Sequence, residues 1–182
     1  MIIKVFSFLG NTFAIKGAAM EELTFTSVSE EYRSVFHKLM QMYAKELDRH
    51  QNRSTDSLIL ERWTDRIIEK QFDASMCLKL CFYGSSVIGF LYGKIDRTED
   101  KGFKKPGYGY VMEFYVLSEY RRKGYGRRMF NHLEKYFKTN NIDKMYLTAD
   151  PVTGKPFWES MGFVCTDEIS PDNNMPVYEK IT

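Results

Sequence analysis

The chain has 182 residues, 43% apolar and 27% charged, which fits one folded domain with a sizeable core and excludes a disordered or fibrous chain. A net charge of +2 is too small to point to nucleic acid by itself. No apolar run approaches the length that spans a bilayer, and Cys77, Cys81 and Cys165 show no metal-ligand spacing, so free thiols in a reducing cytoplasm are the simplest expectation.

Residues 1–19 stand apart. Met1 to Leu9 is apolar with one Lys, Gly10-Asn11-Thr12 breaks the run, and Gly17-Ala18-Ala19 precedes Met20. They read as a leader, an upstream start or an expression-derived extension in preference to a secretory signal, which leaves 20–182 as a single domain.

Residues 23–28 alternate apolar and polar and predict a first strand. Ser27 or Ser29 can cap the helix that follows, where Tyr32, Phe36, Leu39, Met40, Tyr43 and Leu47 recur at helical spacing. Residues 48–57 are polar and read as a loop. A second helix carries Ile59, Trp63, Ile67 and Phe72 on one face. Residues 76–83 alternate, Gly84-Ser85-Ser86 turns the chain, and 87–96 return as the second arm of a hairpin. Cys77 and Cys81 lie four apart on that strand, so both face one side as buried thiols. A charged loop over 97–107 leads to a strand at 108–117. A helix from Gly124 to about Asn140 keeps Tyr125, Met129, Leu133 and Phe137 in register. A short strand at 144–148, a short helix at 153–161, and closing strands at 163–166 and 176–181 complete the chain. Antiparallel hairpins first and crossover helices later predict an α/β (α+β) fold, with a mixed, mostly antiparallel central sheet and helices on both faces.

The most informative stretch is Val116-Leu117-Ser118-Glu119-Tyr120-Arg121-Arg122-Lys123-Gly124-Tyr125-Gly126. A strand ends, a polar turn follows, and a helix begins. Such a reversal points several backbone N–H groups at one spot, and the helix dipole adds about half a positive charge there. The glycines allow a bulky anion to approach the backbone, and the expected ligand is a pyrophosphate. The pattern lacks the further glycine and acidic residue of the dinucleotide fingerprint, and no Lys-Ser/Thr pair follows the last glycine as in the nucleotide-triphosphate loop.

Phe114-Tyr115-Val116 followed by this turn resembles the acetyl-CoA-binding motif of the GNAT superfamily of N-acetyltransferases. Phe157-Trp158-Glu159-Ser160-Met161-Gly162-Phe163 is similar to the aromatic-pair-to-Gly-Phe segment of the same family. The resemblance implies that the parallel strands at 108–117 and 144–148 splay apart and admit the pantetheine arm of acetyl-CoA. It implies cofactor contacts from Phe114, Tyr115, Val116, Arg121, Arg122, Lys123, Gly124, Tyr125, Gly126, Arg127 and Trp158, with Arg128 adding to the positive field. The interleaved glycines and near-neutral charge favour a phosphate-bearing cofactor over nucleic acid for these cations.

Acetyl transfer from a thioester to an amine requires a base for the amine. Glu113 is a carboxylate inside the apolar run Val111-Met112-Glu113-Phe114-Tyr115; burial raises its pKa toward a useful value, and many relatives have an acidic residue near this point. Many relatives also place a tyrosine, the general acid, where this chain has Trp158, whose indole has no useful acidity. Asp150-Pro151 stands where relatives often have an asparagine. His37, His50 and His132 read as packed or surface residues. The acceptor is expected to be a small amine, with Asp48, Asp56, Asp65, Asp73 and Asp96 available to attract a polyamine or an aminoglycoside; protein N-termini and lysines remain open, as does a non-catalytic CoA-binding module. The family's frequent homodimers make the closing strands a candidate contact between two copies.

Overall fold

The computed structural model describes residues 22–149 and 154–181. The segment 1–19, and Asp150-Pro151, lie outside the described residues. Seven strands form one sheet in the order β1-β2-β3-β4-β5-β7-β6: β1 (Leu23–Thr26), β2 (Met76–Tyr83), β3 (Ser86–Ile95), β4 (Gly109–Val116), β5 (Lys144–Thr148), β6 (Val164–Ile169) and β7 (Pro176–Ile181). Every neighbouring pair is antiparallel except β4 and β5. The helices are α1 (Glu30–Gln51), α2 (Ser57–Lys70), α3 (Tyr125–Thr139) and α4 (Lys155–Ser160). The order of elements and the mixed sheet follow the expectation from sequence.

Each face of the sheet has its own core. On one side α1 and α2 bury Phe36, Leu39, Met40, Leu60 and Ile67 against Leu78, Leu80, Phe90 and Tyr115. On the other, α3 and α4 bury Met129, Leu133, Phe137 and Trp158 against Leu91, Val111, Met145 and Leu147. Cys77 and Cys81 both lie in this second core as free thiols.

Several boundaries differ from those expected. Helix α1 continues to Gln51, because Asn52 closes it in the left-handed conformation (φ 49°) and Asp48 holds the turn that follows. Asp48 accepts from the Thr55 amide at 2.7 Å and from the Thr55 hydroxyl at 2.8 Å. A polar stretch that caps a helix reads as loop from sequence alone. Ser29 occupies the N-cap of α1 without a side-chain hydrogen bond. Asp56 caps α2, accepting from the Leu58 and Ile59 amides at 2.8 and 3.1 Å. The buried face of α2 is Leu60, Thr64, Ile67 and Ile68, while Ile59 and Phe72 are exposed. Strand β6 runs on to Ile169 through a break in its pairing with β7.

Candidate active site

Strand β4 is bulged. Tyr92 of β3 pairs with Glu113 and Gly93 with Val111, so Met112 is an extra residue. On either side of the bulge, Val111 and Phe114 pack into the α3 core, whereas Met112 and Tyr115 pack into the α1 core. The extra residue puts Glu113, the predicted base, on the α1 face.

Beyond the bulge the two parallel strands separate. They pair only at Gly109–Met145 and Tyr110–Tyr146, and past that point β5 pairs with β7 alone among the described residues. The Leu117 amide donates to the Ile88 carbonyl at 2.8 Å. Strand alternation therefore turns the polar backbone groups of Phe114 and Val116 toward the gap beside β5, and those of Tyr115 toward β3. Gly89 sits where an added Cβ would lie 2.1 Å from the Tyr115 carbonyl oxygen, consistent with that orientation. The gap is thus lined by hydrogen-bonding backbone that no strand among the described residues satisfies.

At the far end of the gap the chain makes a short 3₁₀ turn (Ser118–Tyr120) and enters α3. Arg122 and Gly124 both adopt positive φ, 62° and 82°. Nothing lies within 4 Å of the position a Cβ would take on Gly124, so this corner is open. The N–H groups of residues 122–127 make no backbone hydrogen bond among the described residues, as expected of a first helical turn. Gly126 has a different role beside them: a Cβ there would come 3.1 Å from the Phe157 ring, so the glycine lets α3 pack against α4. The side chains of Lys123 and Arg127 reach the carbonyls of Glu119 (2.8 Å) and Ser160 (3.1 Å), and Arg122 is exposed. Six amides without backbone partners, an open glycine and basic side chains that form no ion pair among the described residues are chemically suited to a diphosphate, and the adjoining gap is suited to the arm of acetyl-CoA.

Arg121 is placed differently from its basic neighbours. Its guanidinium grips Glu46 of α1 through two bonds of 2.5 and 2.8 Å, and its Nε donates to the Val116 carbonyl at 2.7 Å. That pairing holds the Glu46 carboxyl below the usual carboxylate range. Arg121 therefore ties the turn to α1.

Glu113 is half-buried. Its Oε2 accepts from the Tyr43 hydroxyl at 2.5 Å. Burial pushes the carboxyl up to about 7, with the Tyr43 hydrogen bond and the more distant charge of Arg53 pulling the other way. The Tyr43 hydroxyl is raised well above its ordinary range, first by burial and then by the neighbouring carboxylate. Tyr43 and Glu46 are functional candidates that sequence reasoning missed. Tyr43 read as one more aromatic on the buried stripe of α1, and only its three-residue spacing from Glu46, which puts both on one helix face, could have drawn attention to them.

Trp158 is buried on the opposite face, in a ring cluster with Phe114 (5.3 Å), Phe130 (5.8 Å), Phe157 (4.8 Å) and Phe163 (5.5 Å). It supports Phe114 from beneath the gap. Tyr125 packs against Tyr83 and Tyr120 at the start of α3. His132 stacks on Phe25 at 3.8 Å, and His37 contacts Asp65 at 3.0 Å, so both are occupied away from Glu113.

On the α1 side, next to the parallel pairing, Tyr110 stacks on Tyr146 at 4.5 Å. The Tyr146 hydroxyl donates to Asp96, which also pairs with Lys94 at 2.9 Å and accepts from the Lys105 amide at 2.8 Å. Asp96 is thereby committed to a buried network. The loop after β3 is tied to the β6–β7 end of the sheet by the Phe103 amide on Asp172 (2.8 Å) and by Lys105 on Glu168 and Glu179.

Residues 36–163 match the model of the acetyltransferase (GNAT) family. The chain belongs to that family. Among curated proteins it is similar to the probable N-acetyltransferase san of Drosophila melanogaster, 31% identical over 108 residues, or 58% of this chain and 56% of that protein; the match spans little more than half of that relative's length. Two solved structures share the fold. The PaiA N-acetyltransferase of Thermoplasma acidophilum in complex with coenzyme A is 17% identical, with a TM-score of 0.68 over 88% of this chain and 99% of that one. Arabidopsis thaliana Naa50 in complex with the bisubstrate analogue CoA-Ac-MVNAL is 19% identical, with a TM-score of 0.59 over 88% and 99%.

Proposed function

We propose that the chain is an acetyl-CoA-dependent N-acetyltransferase that acts on a primary amine by direct attack within a ternary complex, with a small amine as acceptor. Bound acetyl-CoA supplies an activated acetyl thioester. The amides of residues 122–127 hold its diphosphate, with Arg122, Lys123 and Arg127 supplying positive field. The backbone of Phe114 and the N–H of Val116, whose carbonyl Arg121 takes, bind and orient the arm and carbonyl in the gap, and Trp158 keeps Phe114 in place. Glu113 takes the proton from the incoming ammonium, directly or through one water. One observation carries this reading: a half-buried carboxylate whose pKa is pushed up to about 7 lies on β4 just where that strand leaves β5. Near neutral pH such a group divides between base and acid forms, as general catalysis requires. No tyrosine stands at position 158, and a CoA thiolate leaves without one, since its pKa is near the ~8.5 of a free thiol. The tyrosines beside Glu113 support a compact cationic acceptor.

A peptide N-terminus is the second reading, supported by the peptide-bearing analogue bound to the Arabidopsis neighbour. Thiol release from acetyl-CoA, measured across small primary amines and across peptides with free N-termini, tests both. Release with small amines supports the first reading. Release with peptides alone moves the acceptor to the second. Coenzyme A binding without release for any acceptor contradicts catalysis and leaves a CoA-binding module.

A further inference from the structure

We propose that α1 mechanically links the cofactor turn to the base, and that Glu46 is the positioning residue that makes the link. The inference rests on the cofactor placement above. On one face of α1, Tyr43 hydrogen-bonds Glu113 and Glu46, three residues on, grips Arg121 with both carboxylate oxygens. Tyr115 fills the space between: its ring lies 5.5 Å from that of Tyr43 and 5.5 Å from the Arg121 guanidinium. Three of the five N–H donors of Arg121 are engaged, two by the Glu46 carboxylate and one by the Val116 carbonyl. A guanidinium so engaged holds the turn in the shape that aims the free amides. It also fixes where the polar backbone of β4 ends, because Val116 is the last residue of that strand.

Two consequences follow. Loss of Glu46 loosens the turn and weakens cofactor binding, although Glu46 itself touches no cofactor. Cofactor binding, by ordering the turn, steadies α1 and with it the Tyr43–Glu113 bond, since coupling between sites is reciprocal.

The test is calorimetric titration of the full chain with coenzyme A, for wild type, Glu46→Gln, Arg121→Gln and the double variant. Glu46→Gln is expected to weaken affinity about tenfold, within the usual range for coupled sites. Arg121→Gln should do the same, and the double variant should be no worse than either single one. Arg121→Lys, which keeps the charge and loses the fork, should behave as Arg121→Gln. If Arg121 instead served the phosphates directly, Glu46→Gln would release it and leave affinity unchanged or tighter; that result overturns the inference while coenzyme A binding by wild type sustains the cofactor placement. Wild type that binds no coenzyme A overturns both. Hydrogen exchange gives an independent reading. Coenzyme A should slow exchange in α1 of wild type and not of Glu46→Gln, and equal slowing in both, or none in wild type, contradicts the link. Should Glu46→Gln fail to fold, Glu46→Asp, which keeps the charge and shortens the reach, takes its place with the same expected loss.

Discussion

The Tyr43 hydroxyl donates to Oε2 of Glu113 at 2.5 Å, joining the middle of α1 to the bulge of β4 across 70 residues. This bond gives an otherwise poorly solvated carboxylate one stabilising donor. Burial raises the pKa of Glu113, and the tyrosine limits the rise.

Removing that donor should move the catalytic pH dependence. In Tyr43→Phe the ionised form of Glu113 loses its hydrogen bond, so the acidic limb of kcat/KM against pH should shift to higher pH than in wild type. The comparison of the two profiles with one acceptor checks this. An unshifted limb would separate Tyr43 from the titrating group.

Glu113→Gln removes the proposed base and keeps the shape. Turnover should fall by about 10²–10⁴-fold, the usual worth of general-base catalysis, with coenzyme A affinity retained. Unchanged turnover would remove Glu113 from the mechanism.

The same substitution should reveal a stability signature. A carboxyl whose folded pKa is raised favours the folded state fully only below its unfolded pKa of 4.5, and that contribution is lost as pH rises through about 7. Glu113→Gln should therefore match wild type in denaturation near pH 4 and become the more stable of the two above pH 7. Equal stability at both pH values would show that the carboxylate is well solvated.

The Lys94–Asp96–Tyr146 network should be structural. Asp96 is 2% exposed, and Asp96→Ala leaves the Lys94 ammonium with Asp100 at 3.2 Å but without its buried partner, and the Tyr146 hydroxyl without its acceptor. Chemical denaturation should show a loss of about 3–5 kcal/mol, typical of a broken buried pair. A loss confined to catalysis would assign Asp96 to the acceptor instead.

How much of this was legible beforehand follows from the range of each interaction. Alternation and helical spacing are local, so the strands and the α3 face around Met129, Leu133 and Phe137 could be read directly. The turn into α3 could be read too, because Gly124 acts through its own backbone. The bulge could not: Met112 and Glu113 follow one another in an ordinary strand sequence, and only pairing with Tyr92 and Gly93 exposes the extra residue. Arg121 looked like one more cation because Glu46, its partner, lies 75 residues away. On α2, the spacing of Ile59, Trp63 and Ile67 suggested one buried face, but packing against α1 selects Leu60, Thr64, Ile67 and Ile68. That choice depends on which way α1 crosses, which no local pattern encodes.

The open corner at the start of α3 and the gap beside β4 are where acetyl-CoA is expected to bind. A crystal structure of the chain with coenzyme A tests this most directly. The diphosphate oxygens should lie within hydrogen-bonding distance of amides from residues 122–127, with the pantetheine arm between β4 and β5 and Arg121 still paired with Glu46. Coenzyme A bound elsewhere, with those amides facing only solvent, would contradict the account.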